Sequence, residues 1–173
     1  YLPAFKALVQ EADVKEVMCA YQRFEGEPCC GSNRLLAQIL RNEWGYKYLV
    51  VSDCGAIGDF YHKGLHRTHP DAASASASAV ANGTDLECGW GDYLQLEEAV
   101  ARGLIAEERV DASLRRLLEA RFALGEMDPD SIVPWSRIGI DTVDCATHRR
   151  LALEMARKSM VLLHNDGVLP LDK

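Results

Sequence analysis

Apolar residues along this chain switch between helical and strand-like spacing, and the switching predicts its elements. Phe5, Leu8 and Val9 share one side of Pro3 to Val9, which reads as the end of a helix. Val17-Met18-Cys19-Ala20-Tyr21 is short, apolar and partly β-branched, the pattern of a buried strand. Glu25-Gly26-Glu27-Pro28 is a turn cluster. Asn33 is the expected N-cap of a helix from Arg34 to Glu43, where Leu35, Leu36, Ile39 and Leu40 keep helical spacing and Gly45 ends it. Tyr48-Leu49-Val50-Val51-Ser52 is the clearest strand and runs into Asp53 and Gly55.

A polar, glycine-containing stretch follows from Gly58 to Pro70. Ala72 to Ala81, rich in Ala and Ser, suits a closely packed helix, and Gly83 leads to a short strand, Thr84 to Glu87. Helices are expected over Tyr93 to Ala101 and Glu107 to Leu124; the second carries Val110, Leu114, Leu117, Leu118 and Phe122 on one face, with Gly125 as C-cap. Met127 to Asp144 reads as an irregular linker containing Pro129 and Pro134. A last helix is expected from Thr147 to Lys158, then a strand, Met160 to Leu163, and a turn at Asn165-Asp166-Gly167. Strands alternating with helices imply a parallel sheet covered by helices. An eight-stranded barrel takes roughly 250 residues, so the pattern is either a small open α/β domain or part of a larger barrel.

Composition narrows the function classes. The 173 residues are 48% hydrophobic and 26% charged, values of a globular chain. The formal charge of −7 argues against a phosphate-tracking nucleic-acid binder. No apolar run approaches the roughly 18 residues of a membrane helix. Six cysteines include the adjacent Cys29-Cys30 but no C-x-x-C pair, so neither a zinc ribbon nor a thioredoxin-type motif is indicated. The chain opens Tyr1-Leu2-Pro3, without a basic-then-apolar leader.

The sharpest chemical feature is Asp53, a carboxylate at the end of a buried strand and followed by Gly55. Parallel α/β folds bind ligands at that edge, where a carboxylate can be nucleophile, general base or metal ligand. The ordinary alternative is an Asp that caps the next turn. Tyr21, and Asp85 with Glu87, end two other strands, so three strands are expected to deliver polar residues to one rim. Paired carboxylates invite glycosidic chemistry, in which a retaining enzyme holds them roughly 5–5.5 Å apart. Glu87 is the partner that chain order offers, and is equally a substrate acceptor or a structural residue.

Val17 to Arg23 with Gly26 and Pro28, then Leu40-Arg41-Asn42-Glu43-Trp44-Gly45-Tyr46, then Val50-Val51-Ser52-Asp53-Cys54-Gly55-Ala56 closely resembles glycoside hydrolase family 3. Gly83 to Gly89, and Ala156 to Asn165 running into Gly167-Val168-Leu169-Pro170-Leu171, carry the same resemblance. It implies a retaining exo-β-glycosidase with no cofactor, acting on a β-linked oligosaccharide or aryl glycoside. It also implies a partial (β/α)8 TIM-type barrel: residues 1–126 as its second half, 127–145 as interdomain linker and 146–173 as the start of an α/β sandwich. Asp53 would be the nucleophile and Tyr21 a tyrosine of the sugar subsite. The acid/base and upstream sugar-gripping residues would lie in the remainder of the polypeptide, so the chain alone is expected to turn over negligibly. Cys54, where many β-glucosidases carry Trp, and Cys88 resemble the β-xylosidase branch, in which the two form a disulfide at the pocket wall; two free buried thiols are the alternative. A secreted or periplasmic location is expected.

Other features weigh less. His62, His66 and His69 lack a completing carboxylate or thiol, so a polar rim loop is favoured over a metal site. Asn82-Gly83-Thr84 is a formal glycosylation sequon expected to go unused. Trp90 is a candidate sugar-stacking residue, whereas Trp44 is expected in the core. A phospho-receiver is disfavoured because no lysine follows a later strand. A non-catalytic sugar-binding or assembly module remains the alternative from another class.

Overall fold

The computed structural model describes residues 1–171, so Asp172 and Lys173, the end of the expected sandwich segment, lie outside the described residues. The chain forms a unit of Tyr1–Met127 and a second that begins at Asp128.

In the first unit, α1 (Leu2–Gln10) leads to β1 (Glu16–Cys19). A hairpin follows, made of β2 (Arg23–Phe24) and β3 (Glu27–Pro28). Its turn residues Glu25 and Gly26 have φ of 52° and 90°, the successive left-handed pair of a type I′ turn, which favours glycine at the second position. The next helix, Asn33–Glu43, is wound with the wide π spacing and leads to β4 (Leu49–Ser52). β1 and β4 pair in parallel, Val17 opposite Val50 and Cys19 opposite Ser52. Then come α2 (Ala72–Asn82), α3 (Leu96–Ala101) and α4 (Glu107–Leu124).

Several expectations are corrected. The N-cap of the π-wound helix is Ser32, whose side chain accepts from the Leu35 N–H at 3.1 Å; Asn33 is already inside the helix. Both residue types cap well, so composition alone does not choose between them. β1 is not buried throughout: Met18 is 57% exposed, because alternate side chains of a strand point to opposite faces. The strand expected over Thr84–Glu87 reduces to one parallel bridge, Val51 to Leu86, because the Asp85 side chain replaces a ladder bond. The helix expected from Tyr93 begins as a 3-10 turn, Asp92–Gln95.

The core gathers Val50, Ile57 and Phe60, all almost fully buried, with Leu36 and Leu40 of the π-wound helix and Ala75 and Ala79 of α2. Each large apolar side chain contributes about 1.5–3 kcal/mol by leaving water. The small residues of α2 allow close approach. At Gly31 a Cβ would stand 2.6 Å from the Phe60 ring, so only glycine fits. α2 starts with a capping box: Asp71 Oδ1 accepts from the Ser74 N–H at 2.8 Å, and the Ser74 hydroxyl accepts from the Asp71 N–H at 3.4 Å. It ends at Gly83, whose φ of 118° suits glycine.

Asp85 has no exposed side-chain surface. Oδ2 accepts from the Val50 N–H at 3.0 Å and from Arg41 at 2.7 Å; Oδ1 accepts from Arg116 at 2.7 Å and the Ser113 hydroxyl at 3.0 Å. It is therefore buried beside Val50, not on the rim with Asp53, which corrects the expectation for Asp85 among the polar residues that the three strands were to deliver to one rim.

The second unit holds the 3-10 turns Pro134–Arg137 and Ile140–Thr142 and the helix α5 (Ala146–Ser159). The strand expected over Met160–Leu163 is not formed: these residues are exposed, and no strand of the described residues pairs with them. An apolar run becomes a strand only where a ladder partner exists.

Two outcomes follow from these contacts. Asp85→Ala leaves two guanidiniums without their carboxylate and should cost about 3–5 kcal/mol in urea denaturation; a loss below about 1 kcal/mol would contradict this account. Asp71 is held down to about 2, below its ordinary 3.8, by its bonds from Ser74 and then Arg102. Its contribution is therefore complete above the ordinary value and disappears as pH falls through about 2. Melting curves should show Asp71→Ala less stable than the parent at neutral pH, with the gap closing in that acid window.

Candidate active site

Asp53 is the first residue beyond β4. Its N–H donates to the Cys19 carbonyl of β1 at 3.0 Å, and its carbonyl accepts from the Ala56 N–H at 3.0 Å. Oδ1 accepts from the Cys54 N–H at 2.7 Å, which orients the carboxylate. Tyr21, two residues past β1, is 43% exposed and donates its hydroxyl to the Cys54 carbonyl at 2.5 Å. Partial desolvation, then the Asp53 carboxylate beside it, raise the Tyr21 phenol above its ordinary 10. It therefore stands protonated at neutral pH beside Asp53.

The segment after the Val51–Leu86 bridge is zipped to the end of β4. Ser52 N–H donates to the Leu86 carbonyl at 2.9 Å, Cys88 N–H to the Ser52 hydroxyl at 2.9 Å, and Gly55 N–H to the Cys88 carbonyl at 2.7 Å. This register brings Cys54 and Cys88 together as a disulfide with Cα atoms 4.4 Å apart, the bridge the resemblance implied. A second disulfide, Cys19–Cys30, with Cα atoms 5.1 Å apart, escaped the sequence reading, because cysteine spacing does not determine connectivity. It ties the end of β1 to the 3-10 turn Cys29–Gly31. Cys29 and Cys145 are free thiols, and burial pushes Cys29 up from its ordinary 9.0.

Glu87 is turned into its own loop. Oε1 accepts from the Gly91 N–H and Oε2 from the Tyr93 N–H, each at 3.3 Å. Trp90, between Gly89 and Gly91, is 93% exposed, and its indole nitrogen lies 3.3 Å from where a Cβ on Gly55 would stand. With φ of 82°, the backbone at Gly55 favours glycine. The structure thus gathers Tyr21, Asp53, the Cys54–Cys88 bridge and Trp90 about the ends of adjacent parallel segments.

The three histidines are separate in their contacts. His66 bonds Arg23 and Tyr21, His69 packs on Phe60 with ring centroids 5.4 Å apart, and His62 packs on Tyr61 at 4.3 Å. Among the described residues no group of His, Cys, Asp and Glu has the geometry to hold a metal ion. The Asn82 amide of the sequon donates to the Gly31 carbonyl at 2.8 Å. Trp44 is partly buried against the core.

A parallel strand pair with covering helices, and polar residues at its carboxyl ends, is the arrangement of a segment of a β/α barrel. The glycosyl hydrolase family 3 N-terminal domain matches residues 1–120, and the chain belongs to that family as a partial α/β barrel. It is 54% identical, over its whole length, to a xylan 1,4-beta-xylosidase of Xylanibacter ruminicola, of which it covers 20%. Among solved structures, a GH3 exo-beta-xylosidase (XlnD) in complex with a xylobiose aziridine activity-based probe superposes with TM-score 0.84 and 30% identity, over 100% of this chain and 22% of that one. The b-glucosidase EmGH1 of Erythrobacter marinus gives TM-score 0.84 and 33% identity, over 99% of this chain and 22% of that one. The chain thus spans about a fifth of the length of the relatives it matches.

Peptide mapping without reduction should recover linked Cys19–Cys30 and Cys54–Cys88 peptides, with alkylation under denaturing conditions confined to Cys29 and Cys145. Fragmentation of the Cys19-linked peptide that places the alkyl group on Cys30 and the link on Cys29 would overturn the assignment.

Proposed function

We infer that this chain supplies the nucleophile wall of a retaining exo-β-glycosidase acting on terminal β-D-xylosyl residues. The observation that carries the reading is Asp53 itself: a carboxylate at a parallel strand end, one oxygen fixed by the Cys54 N–H, with the protonated Tyr21 hydroxyl beside it. In this mechanism a carboxylate oxygen of Asp53 attacks the anomeric carbon as the bond to the leaving oxygen breaks. An acid from outside the described residues protonates that oxygen, and water then hydrolyses the glycosyl ester. Tyr21 acts beside the nucleophile with its hydroxyl on the Cys54 carbonyl, and Trp90 offers an exposed face for a sugar. Glu87 positions the Trp90 loop through the amides of Gly91 and Tyr93 and is not assigned to proton transfer.

The Cys54–Cys88 bridge fills the wall beside the nucleophile and so favours a sugar without a hydroxymethyl group. The name of the Xylanibacter relative supports xylose; the b-glucosidase among the neighbours keeps glucose as the competing substrate. The expected domains are carried forward on the same reading, with residues 1–126 as the second half of the barrel, 127–145 as linker and 146–173 as the start of a sandwich. Two disulfides favour an oxidising compartment, so a secreted or periplasmic location is proposed with them.

The test uses a polypeptide carrying this chain together with the remaining family 3 sequence. A xylobiose aziridine should label Asp53, and Asp53→Asn should lower aryl xyloside hydrolysis at least about 1,000-fold. Aryl xyloside should be preferred over aryl glucoside by roughly 10–200-fold, the range a single substituent commands in a fitted pocket. The isolated chain should turn over negligibly, because nucleophile and acid must act in one geometry. Sugar binding with no labelling would favour the non-catalytic module instead.

A further inference from the structure

We propose that His66 is a positioning residue for the reaction, acting through Tyr21 on Asp53; this rests on the nucleophile reading above. His66 comes from the loop between β4 and α2, yet it reaches back to the segment after β1. One ring nitrogen, Nε2, lies 2.6 Å from the Tyr21 carbonyl oxygen. The other, Nδ1, accepts from the Arg23 Nε–H at 3.2 Å. A second nitrogen of the same guanidinium donates to the His66 carbonyl. Because Arg donates only, Nδ1 must present its lone pair. Nε2 then carries the hydrogen and donates to Tyr21, which fixes the tautomer.

The ring is itself held. The His66 N–H donates to the Asp59 carbonyl at 2.9 Å, and the N–H groups of Thr68 and His69 both donate to the carbonyl of buried Phe60, at 2.8 and 3.0 Å. Arg67, between them, has φ of 52°, a conformation non-glycine residues rarely adopt. A connected path runs from this anchored loop through the Tyr21 backbone, along its side chain to the Cys54 carbonyl, and by the Cys54 N–H to Asp53 Oδ1. Tyr21 stands on an exposed segment, two residues past its strand, so backbone pairing with β4 does not hold it. The Cys29 N–H on the Gln22 carbonyl at 2.8 Å and the Cys19–Cys30 disulfide anchor the chain on either side of it, and His66 supplies the bond to the Tyr21 carbonyl itself. Removing His66 loosens Tyr21, and the carboxylate loses a fixed neighbour while Trp90 and the Cys54–Cys88 wall keep their own contacts with the strand ends. The expected signature is therefore in kcat rather than KM.

The experiment compares variants of the full-length family 3 polypeptide for aryl xyloside kinetics, probe labelling of Asp53 and thermal melting. His66→Leu keeps bulk but removes both ring bonds, and should lower kcat and the labelling rate about 100-fold, as a small misplacement near the reacting atoms does, with KM moved less than about threefold. His66→Gln retains an amide donor for the Tyr21 carbonyl and an acceptor for Arg23, and should recover activity to within about tenfold of the parent. Arg23→Lys, which loses the two-nitrogen grip, should also slow kcat, and combining it with His66→Leu should add nothing further. A folded His66→Leu variant with parental kcat overturns the proposal. So does a loss of kcat that follows the melting temperature and is not rescued by His66→Gln. A parent enzyme never labelled at Asp53 overturns the nucleophile reading and this one with it; a labelled parent with an equally fast His66→Leu overturns this one alone.

Discussion

One buried carboxylate sets the register on which the rim depends. β4 is paired along its length with β1, but on its other side only a single bridge joins it to Leu86. The Asp85 side chain takes the Val50 N–H, and the Asp85 and Leu86 N–H groups both donate to the Val50 carbonyl, at 2.8 and 3.1 Å. With Asp85 fixed there, Leu86 pairs with Val51 and its carbonyl takes the Ser52 N–H, and Cys88 then meets the Ser52 hydroxyl. Arg41 of the π-wound helix and Arg116 of α4 clamp the same carboxylate, so both helices are bound to the strand they cover. A buried ion cluster of this kind contributes little against an apolar replacement, but a wrong register would strand its charges. Its effect is to choose one alignment.

That alignment explains why so much of the site arrives together. The Cys54–Cys88 link, the bond from Gly55 to the Cys88 carbonyl and the seat of Trp90 over Gly55 all need Leu86 opposite Val51. None could form after a one-residue slip, because a slip turns every side chain to the other face. The rim is thus built on strand ends fixed by sheet pairing and closed by a covalent bond, a firmer base than free loops.

The strand ending in Asp53 was legible because Leu49, Val50 and Val51 form an apolar run that stops at a carboxylate and a glycine. The Ala/Ser helix was legible because small residues at that density suit close packing, and Gly125 marked the end of α4 as a left-handed cap. What escaped depended on contacts distant in sequence. Nothing near Asp85 distinguishes a rim carboxylate from one that folds back onto Val50; the difference lies in Arg41 and Arg116, 44 and 31 residues away. The Cys54–Cys88 pair came from family resemblance and not from spacing, and Cys19–Cys30 came from neither. The apolar run at Met160–Leu163 misled because strand-like composition carries no information about whether a partner is present.

The two acidic residues of the rim have divergent work, and the local chain shows why. Asp53 is followed at once by a backbone turn whose N–H meets its own carboxylate, so one oxygen is held while the group stays at the strand end. Glu87 is followed by Gly89 and Gly91, which let the chain fold back until the amides of Gly91 and Tyr93 point at its two oxygens. Both Glu87 oxygens are thus taken up by backbone amides of its own loop. Glu87 therefore spends its charge on the turn that carries Trp90. On the reading proposed above, the second carboxyl that retaining hydrolysis places about 5–5.5 Å from the first would come from outside this rim.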